Sequence, residues 1–128
     1  MAKPFVYTCT LDRVVDGDTV DVNIDLGFKI VLAKQRVRLV GIDTPESRTR
    51  NLDEKALGLK AKERLKELCE GTFRIKSLGK GKYGRILGIP YTTDGEDVCQ
   101  KLIKEGHAVE YWGGTKTGHV RKDGTWGE

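Results

Sequence analysis

Three short polar stretches of the sequence stand where turn residues meet strand-like residues. They are DGDT at 16–19, RLVGIDTPE at 38–46 and KYGR at 82–85. Together they supply carboxylates, which bind hard cations, and arginines, which bind phosphate oxygens. We therefore take these three stretches as the candidate site.

Asp18 and Asp43 are the candidate ligands of a divalent cation. Calcium prefers several oxygen ligands, and these two carboxylates with the main-chain carbonyl of Thr44 supply three, while water and phosphate complete the shell. Taken alone, DGDT at 16–19 indicates only a tight turn, because Asp-Gly favours hairpins. The stretch is not an EF-hand loop, since Asp21 stands where that loop requires glycine.

Arg38, Arg85 and Glu46 suit the hydrolysis of a phosphodiester, which needs cations around the phosphorus and a positioned water. The planar fork of arginine binds two phosphate oxygens at once, so Arg38 and Arg85 are the candidate phosphate clamp and transition-state stabilisers. Glu46 follows Asp43 closely and is the candidate that orients or deprotonates the water. Arg38 also stands among apolar residues, and an alternative is that it pairs with Asp18 or Asp43 to hold the barrel together. This structural role and phosphate binding can coexist.

The elements that must position these residues are mainly strands. Val20, Val22 and Ile24 alternate with polar residues, with the period of two expected of a half-buried strand. Similar patterns predict strands near residues 5–15, 18–26, 29–42, 72–78 and 85–92.

Two helices are predicted among these strands. An apolar stripe recurs at helical spacing over residues 53–69, and Gly71 ends that helix. Asp94 is predicted to cap a second helix, which Gly106 stops. The order of elements predicts an α+β fold, mainly β: a small, partly open five-stranded barrel with two helices packed at its edge.

Length, composition and charge limit the class of protein. The 128 residues, 38% hydrophobic and 33% charged, fit one folded domain, and no apolar run approaches the length needed to cross a bilayer. Residues 47–82 hold eleven Lys and Arg against five Asp and Glu, whereas each flank holds six against seven. A basic central segment beside acidic clusters suits an enzyme that acts on nucleic acid. A solvated, lysine-rich helix face would explain most of the excess positive charge in residues 47–82 equally well.

The cysteines and the N-terminus bear on the compartment. Cys9, Cys69 and Cys99 are odd in number and lack CxxC pairs, so buried thiols are expected rather than a disulfide framework or a structural zinc site. The N-terminal residues of the given sequence show no secretory-signal pattern, which fits either a cytoplasmic protein or the mature form of an exported one; a cytoplasmic location is the expectation.

Taken in order, the motifs resemble those of the staphylococcal nuclease (thermonuclease) family over residues 5–112. The matching features are the DGDT turn, the stretch from Arg38 through DTPE, the basic helix, the KYGR loop and the pattern from Asp-Gly to LIKEG at the second helix. The resemblance implies an OB-fold barrel and a calcium-dependent hydrolase that cleaves DNA and RNA and leaves 3′-phosphate ends.

The resemblance also implies a role for each site residue. It assigns metal binding to Asp18, Asp43 and Thr44, catalysis to Arg38, Glu46 and Arg85, and substrate contacts to Lys82, Tyr83 and the aromatic pair Tyr111 and Trp112. Aromatic residues after a helix can stack on a base, although they more often serve packing. One departure is Gly81, where family members often have an acidic residue.

Residues 1–112 are predicted to form the nuclease domain, and residues 113–128 a polar, loosely docked tail. A monomer with no membrane partner is expected.

The rival hypothesis is a nucleic-acid or protein binding module without catalysis, since the same fold occurs in such domains. Those domains generally lack the carboxylates and arginines that are present here.

Overall fold

Five strands form a closed barrel in the computed structural model, which describes residues 5–80 and 85–128. The elements in chain order are β1 (Phe5–Asp16), β2 (Thr19–Asp25), β3 (Val31–Leu39), β4 (Ile42–Asp43), α1 (Leu52–Leu68), β5 (Thr72–Lys80), β6 (Ile86–Tyr91), α2 (Val98–Lys104), β7 (Val109–Glu110), β8 (His119–Val120) and β9 (Trp126–Gly127). The barrel strands follow the order β1-β2-β3-β6-β5. The predicted α+β fold, mainly β, with five barrel strands and two helices is confirmed, and it is consistent with an OB-fold.

The pairing of β3 with β6 closes the barrel. This pair is parallel, with Val37 opposite Ile86 and Leu39 opposite Gly88, whereas the other barrel pairs are antiparallel. Parallel neighbours need a long crossover connection, which α1 and β5 provide. The sequence predicted a partly open barrel, whereas the barrel is closed. The pairing of β3 with β6 could not be predicted, because a contact between strands so far apart in the chain leaves no local pattern.

The barrel interior holds the core. Val20, Val22 and Ile24 of β2 are buried, as their alternation predicted, whereas Asp21 between them is also buried and pairs with Arg13 and Arg36. Helix α1 buries Ala61 and Leu65 against the barrel. The helix stripe and the strand alternation therefore meet in one core.

Helix caps agree with the sequence at α1 and differ at α2. The Asn51 side chain accepts hydrogen bonds from two amides of the first turn of α1. At α2 the cap is Asp97, whose carboxylate accepts a hydrogen bond of 3.1 Å from the Gln100 amide. The prediction of Asp94 as the cap is wrong, because Asp94 lies in a surface turn too far before Val98 to reach the first amides. Within residues 5–80 and 85–128, no helix is long and apolar enough to span a membrane.

The segment after α2 returns to the barrel. Strand β7 pairs with β4, so that Val109 lies opposite Asp43. Strands β8 and β9 then form a hairpin in which Trp126 is 7% exposed. The sequence predicted loose docking for residues 113–128, and the buried indole differs from that expectation. The domain boundary at residue 112 stays a prediction.

All three cysteines are free and buried, as predicted. Burial raises the pKa of the Cys9, Cys69 and Cys99 thiols to about 12. These thiols are therefore packing groups at neutral pH.

Candidate active site

The turn between β1 and β2 presents Asp18. Its carboxylate oxygen Oδ1 accepts a hydrogen bond of 3.0 Å from the Thr19 hydroxyl. The Asp18 main-chain carbonyl accepts a hydrogen bond of 2.8 Å from the Leu39 amide. Because Leu39 ends β3, the DGDT turn is tied to the start of the second polar stretch.

Arg38 is held by its own turn. Its guanidinium donates from Nη1 to the Leu39 carbonyl and from Nη2 to the Ile42 carbonyl, the latter at 2.8 Å. Nη2 also lies 3.5 Å from Oδ2 of Asp18, and the Arg38 side chain is 15% exposed. Arg38 thus combines structural contacts with a largely covered position beside Asp18, and the sequence had left both roles open.

Asp43, which ends β4, and Thr44, the next residue, complete the cluster. The Thr44 amide donates to Oδ2 of Asp18 at 3.4 Å, so this oxygen lies between Thr44 and Arg38. Asp43 is only 4% exposed. Burial raises the pKa of the Asp43 carboxyl above its ordinary value; the Lys116 ammonium opposes this shift, and the Asp18 carboxylate adds to it.

The donors in this cluster fit a hard divalent cation. The Asp18 carboxylate lies close enough to disfavour the charge of Asp43, and a cation between two carboxylates relieves such repulsion. The Thr44 hydroxyl is buried and has no hydrogen-bond partner in the described part of the chain. No group of three or more His, Cys, Asp or Glu that could hold a metal is found in residues 5–80 and 85–128. A cation here therefore needs carbonyl, water or substrate oxygens as further ligands.

Asp16 anchors the chain that follows Asp43. The Ser47 amide donates to Oδ1 of Asp16 at 3.2 Å, and the Ser47 hydroxyl donates to the same oxygen. The first aspartate of DGDT therefore holds the DTPES segment against the β1–β2 turn, while the second, Asp18, faces Arg38. The sequence alone did not distinguish the anchoring role of Asp16 from the position of Asp18 beside Arg38.

Lys116 is a site residue that the sequence did not reveal. Its ammonium Nζ lies 3.5 Å from Oδ1 of Asp43, and its side chain is 55% exposed. The same ammonium lies 5.8 Å from the centre of the Tyr111 ring, within the range of a cation–π contact. A single lysine in a Gly-rich and Thr-rich stretch carries no local signal of this contact.

Trp126 also reaches the cluster. Its indole Nε1 donates a buried hydrogen bond of 3.1 Å to the main-chain carbonyl of Asp43. The partners are separated by 83 positions in the sequence. No spacing rule predicts a contact at such a separation.

The remaining predicted catalytic residues lie at the surface. Glu46 is exposed, and its amide donates to the Glu54 carboxylate at 3.0 Å. Arg85 is exposed at the residue before β6. Among the residues that the structure describes, no side-chain hydrogen bond or ion pair joins Glu46 or Arg85 to the cluster. Lys82 and Tyr83 lie outside the described residues, as does Gly81. The roles assigned to these residues stay predictions.

Tyr111 and Trp112 flank the β3–β4 turn. The Tyr111 amide donates to the Gly41 carbonyl at 2.9 Å, and its hydroxyl donates to the Gly114 carbonyl. The Trp112 ring lies against Gly41 and is nevertheless 71% exposed, with its Nε1 donating to Glu110 at 3.1 Å. Tyr111 is therefore connected to Asp43 through Lys116, whereas Trp112 lies on the β3–β4 turn and is the more open to solvent.

Comparisons with known proteins bear on the family. A family model described as "Staphylococcal nuclease homologue" matches residues 36–123. Endonuclease YncB of Bacillus subtilis (strain 168) is 40% identical over 103 residues, covering 77% of this chain and 46% of that protein. From the same organism, the SPbeta prophage-derived endonuclease YokF is 39% identical over 107 residues, covering 77% of this chain and 32% of that protein. Endonuclease YhcR is 35% identical over 115 residues, covering 83% of this chain and 9% of that protein.

The extent of these matches decides what they show. The chain spans less than half the length of each of these three relatives. The family model nevertheless covers more than half of the chain, and its range includes Arg38, Asp43, Thr44, Glu46 and Arg85. Since the barrel and the polar cluster agree with the resemblance found in the motifs, the protein belongs to the staphylococcal nuclease family.

Proposed function

We propose that this chain is a calcium-dependent nuclease that hydrolyses phosphodiester bonds of DNA and RNA and leaves 3′-phosphate ends. One observation carries the proposal: a carboxylate oxygen of Asp18 lies between the Arg38 guanidinium and the Thr44 amide, beside the buried Asp43. This arrangement places oxygen donors for a cation next to an arginine suited to phosphate. The endonuclease names of the relatives support the same reaction class.

Asp18, Asp43 and the Thr44 carbonyl would hold the cation. When bound, calcium supplies positive charge that polarises the phosphate and favours ionisation of water. The chain itself keeps these donors in place, because Asp18 is tied to β3 and Asp43 is buried under the C-terminal hairpin.

Arg38 would bind a non-bridging phosphate oxygen and stabilise the charge that develops on it. Two hydrogen bonds to main-chain carbonyls fix the orientation of its guanidinium before the substrate arrives. Arginine has five N–H donors, so donors remain for phosphate. A preoriented donor stabilises a transition state without reorganisation during the reaction.

Glu46 and Arg85 are both exposed to solvent and would reach the substrate from there. Glu46 follows the buried Thr44 and Pro45 and faces solvent, where it can orient the attacking water. Arg85 would add a second phosphate contact, with Lys82 and Tyr83 beside it in the chain. Tyr111 and Trp112 offer ring faces for stacking on a base.

The rival function is binding of nucleic acid or protein without catalysis. The same basic and aromatic residues would serve that role, so binding alone does not discriminate between the two. Turnover that requires Asp43 does discriminate, because a module that only binds nucleic acid or protein cleaves no phosphodiester bond.

The test is cleavage by the purified chain. Single-stranded DNA, duplex DNA and RNA are incubated with calcium, with magnesium and with chelator, and product ends are identified by mass spectrometry. We expect cleavage of DNA and RNA with calcium, none with chelator, and 3′-phosphate ends. Asp43→Asn should abolish turnover, whereas Asp12→Asn, the same charge change on the exposed part of β1, should not.

Other outcomes would refute parts of the proposal. Full activity with chelator or in Asp43→Asn would refute the metal site. Products with 5′-phosphate ends would refute the assigned bond. Nucleic-acid binding without cleavage under every condition would favour the binding module.

A further inference from the structure

The C-terminal hairpin covers the main chain of Asp43. Indole Nε1 of Trp126 lies 3.1 Å from the Asp43 carbonyl oxygen, and both groups are buried. Trp126 is paired with Val120 across the hairpin, which sets the position of its ring. The contact is therefore made by an ordered element.

Gly118 brings the same hairpin to the carboxylate of Asp43. A Cβ atom built at Gly118 would lie 3.0 Å from Oδ2 of Asp43 and 2.6 Å from the Trp126 ring. The hairpin backbone, the indole and Asp43 are thus in direct contact, and only glycine leaves enough space for this approach. Asp43 is enclosed at both its main chain and its side chain.

The strand that carries Asp43 offers little support of its own. β4 has two residues and pairs only with the two-residue β7 in the described chain. A two-residue ladder supplies few hydrogen bonds to fix a ligand. The indole N–H of Trp126 adds a hydrogen bond from the C-terminal hairpin to the main chain of Asp43.

We propose that Trp126 is a positioning residue, which holds Asp43 in the orientation that binds the cation. The inference rests on the proposed function, in which Asp43 is a metal ligand. Groups that orient metal ligands contribute to affinity although they do not touch the metal. The apolar ring alone would serve packing, so the N–H group is the part that distinguishes positioning from packing.

The first test removes the N–H group and keeps an aromatic ring. Calcium affinity of the wild type and of Trp126→Phe is measured by calorimetry, after thermal melting has shown that the variant folds. We expect roughly 10- to 100-fold weaker calcium binding in Trp126→Phe. Cleavage lost at low calcium should return at high calcium, which a general loss of packing would not produce.

The second test leaves Trp126 in place, so its result does not depend on whether Trp126→Phe folds. The chain has two tryptophans, so Trp112→Phe makes Trp126 the single one. Calcium titration should change the emission of Trp126 along the calorimetric binding curve. The same titration of Trp112→Phe combined with Asp43→Asn should produce no change.

The outcomes separate the inference from the proposed function. If the wild type binds calcium and Trp126→Phe binds it equally well, the positioning role is overturned and the nuclease proposal stands. Calcium binding without any change in Trp126 emission would also count against the positioning role. If the wild type binds no calcium, both proposals are overturned.

Discussion

At the level of single residues, Arg38 makes structural contacts and also occupies the position from which we propose that it binds phosphate. Its guanidinium satisfies the carbonyls of Leu39 and Ile42 and lies 3.5 Å from the Asp18 carboxylate. A lysine has one ammonium on a flexible stem and cannot reproduce this fork. The arginine at this position is therefore specific in shape as well as in charge.

We predict that Arg38→Lys lowers kcat by roughly 100-fold, because the oriented donors at the phosphate are lost while the charge remains. Steady-state kinetics on a defined DNA substrate measure the effect. Arg36→Lys is the matched control, since Arg36 lies two positions earlier on β3 and pairs with Asp21. Equal kcat values for the two variants would contradict the role of Arg38.

Lys116 is a second residue of interest, because its ammonium lies beside the Asp43 carboxylate that a cation would bind. The distance of 3.5 Å from Nζ to Oδ1 allows an ion pair, and the 55% exposed side chain weakens it through solvent. A lysine and a metal ion that approach the same carboxylate compete for it. The exposed stem would let Lys116 move away from Asp43 if a metal ion bound there.

We predict that Lys116→Gln binds calcium more tightly, by at most about fivefold, the equivalent of an exposed ion pair. Titration calorimetry at matched ionic strength measures the change. Lys122→Gln is the control, since Lys122 lies in the turn of the same hairpin. A similar gain in the control would assign the effect to overall charge.

At the level of elements, α1 supports the segment that carries Glu46. Gly58 of α1 lies so close to this segment that a Cβ atom would come within 2.5 Å of the Glu46 carbonyl group and 2.7 Å of the Ser47 amide nitrogen. Both neighbours are main-chain atoms, which cannot rotate away. Contact between helix and segment therefore depends on glycine.

We predict that Gly58→Ala is destabilising although alanine favours helices by about 1 kcal/mol over glycine. The clash should cost roughly 1–3 kcal/mol and shift Glu46, so that cleavage also falls. Urea unfolding and cleavage assays measure the two effects. Lys55→Ala, on the exposed side of the same helix, should change neither. A more stable Gly58→Ala would show that the segment adapts to the methyl group.

An ion pair ties α1 to the end of α2. Arg64 donates to the Glu105 carboxylate through Nε at 2.6 Å and through Nη2 at 2.9 Å. This contact holds the pKa of Glu105 below its ordinary value. The stabilisation is therefore present above the unfolded-state pKa and is lost as the pH falls through the lower folded-state pKa.

We predict that Glu105→Gln lowers the free energy of unfolding at pH 7 by at most about 1 kcal/mol, because both partners are partly solvated. The difference from the wild type should shrink as the pH falls below 4.5, the ordinary pKa of a glutamate. Urea unfolding between neutral and acidic pH measures it. A difference that stays constant down to the lowest pH would exclude the ion pair as its cause.

For the whole molecule, the site joins elements from both ends of the chain. The β1–β2 turn contributes Asp18, β4 contributes Asp43, and the C-terminal hairpin contributes Trp126 and the nearby Lys116. A ligand that binds only the folded state stabilises all of the elements that form its site. Calcium should therefore affect global stability.

We predict that calcium at a hundredfold excess over its Kd raises the free energy of unfolding by about 2.7 kcal/mol and the Tm by several degrees. Scanning calorimetry with calcium and then with chelator measures the shift. Asp43→Asn should lose it and Asp12→Asn should keep it, with sodium chloride matched throughout. A shift of equal size in both variants would point to screening of the net charge of +4.

Much of this protein was determined by local sequence. The period of two in β2 and the apolar stripe of α1 predicted a half-buried strand and a packed helix, because these patterns follow from backbone geometry. The polar motifs at 16–19 and 38–46 predicted the cluster, since each lies at a turn between elements. Their order along the chain also predicted the family.

Tertiary structure decided the rest. The parallel pairing of β3 with β6 closed the barrel, and the start of α2 at Val98 made Asp97 its cap in place of Asp94. Trp126 reaches Asp43 across 83 positions, and Lys116 approaches it from the same end of the chain. Such contacts have no period in the sequence, because they depend on how the C-terminal hairpin packs against the barrel.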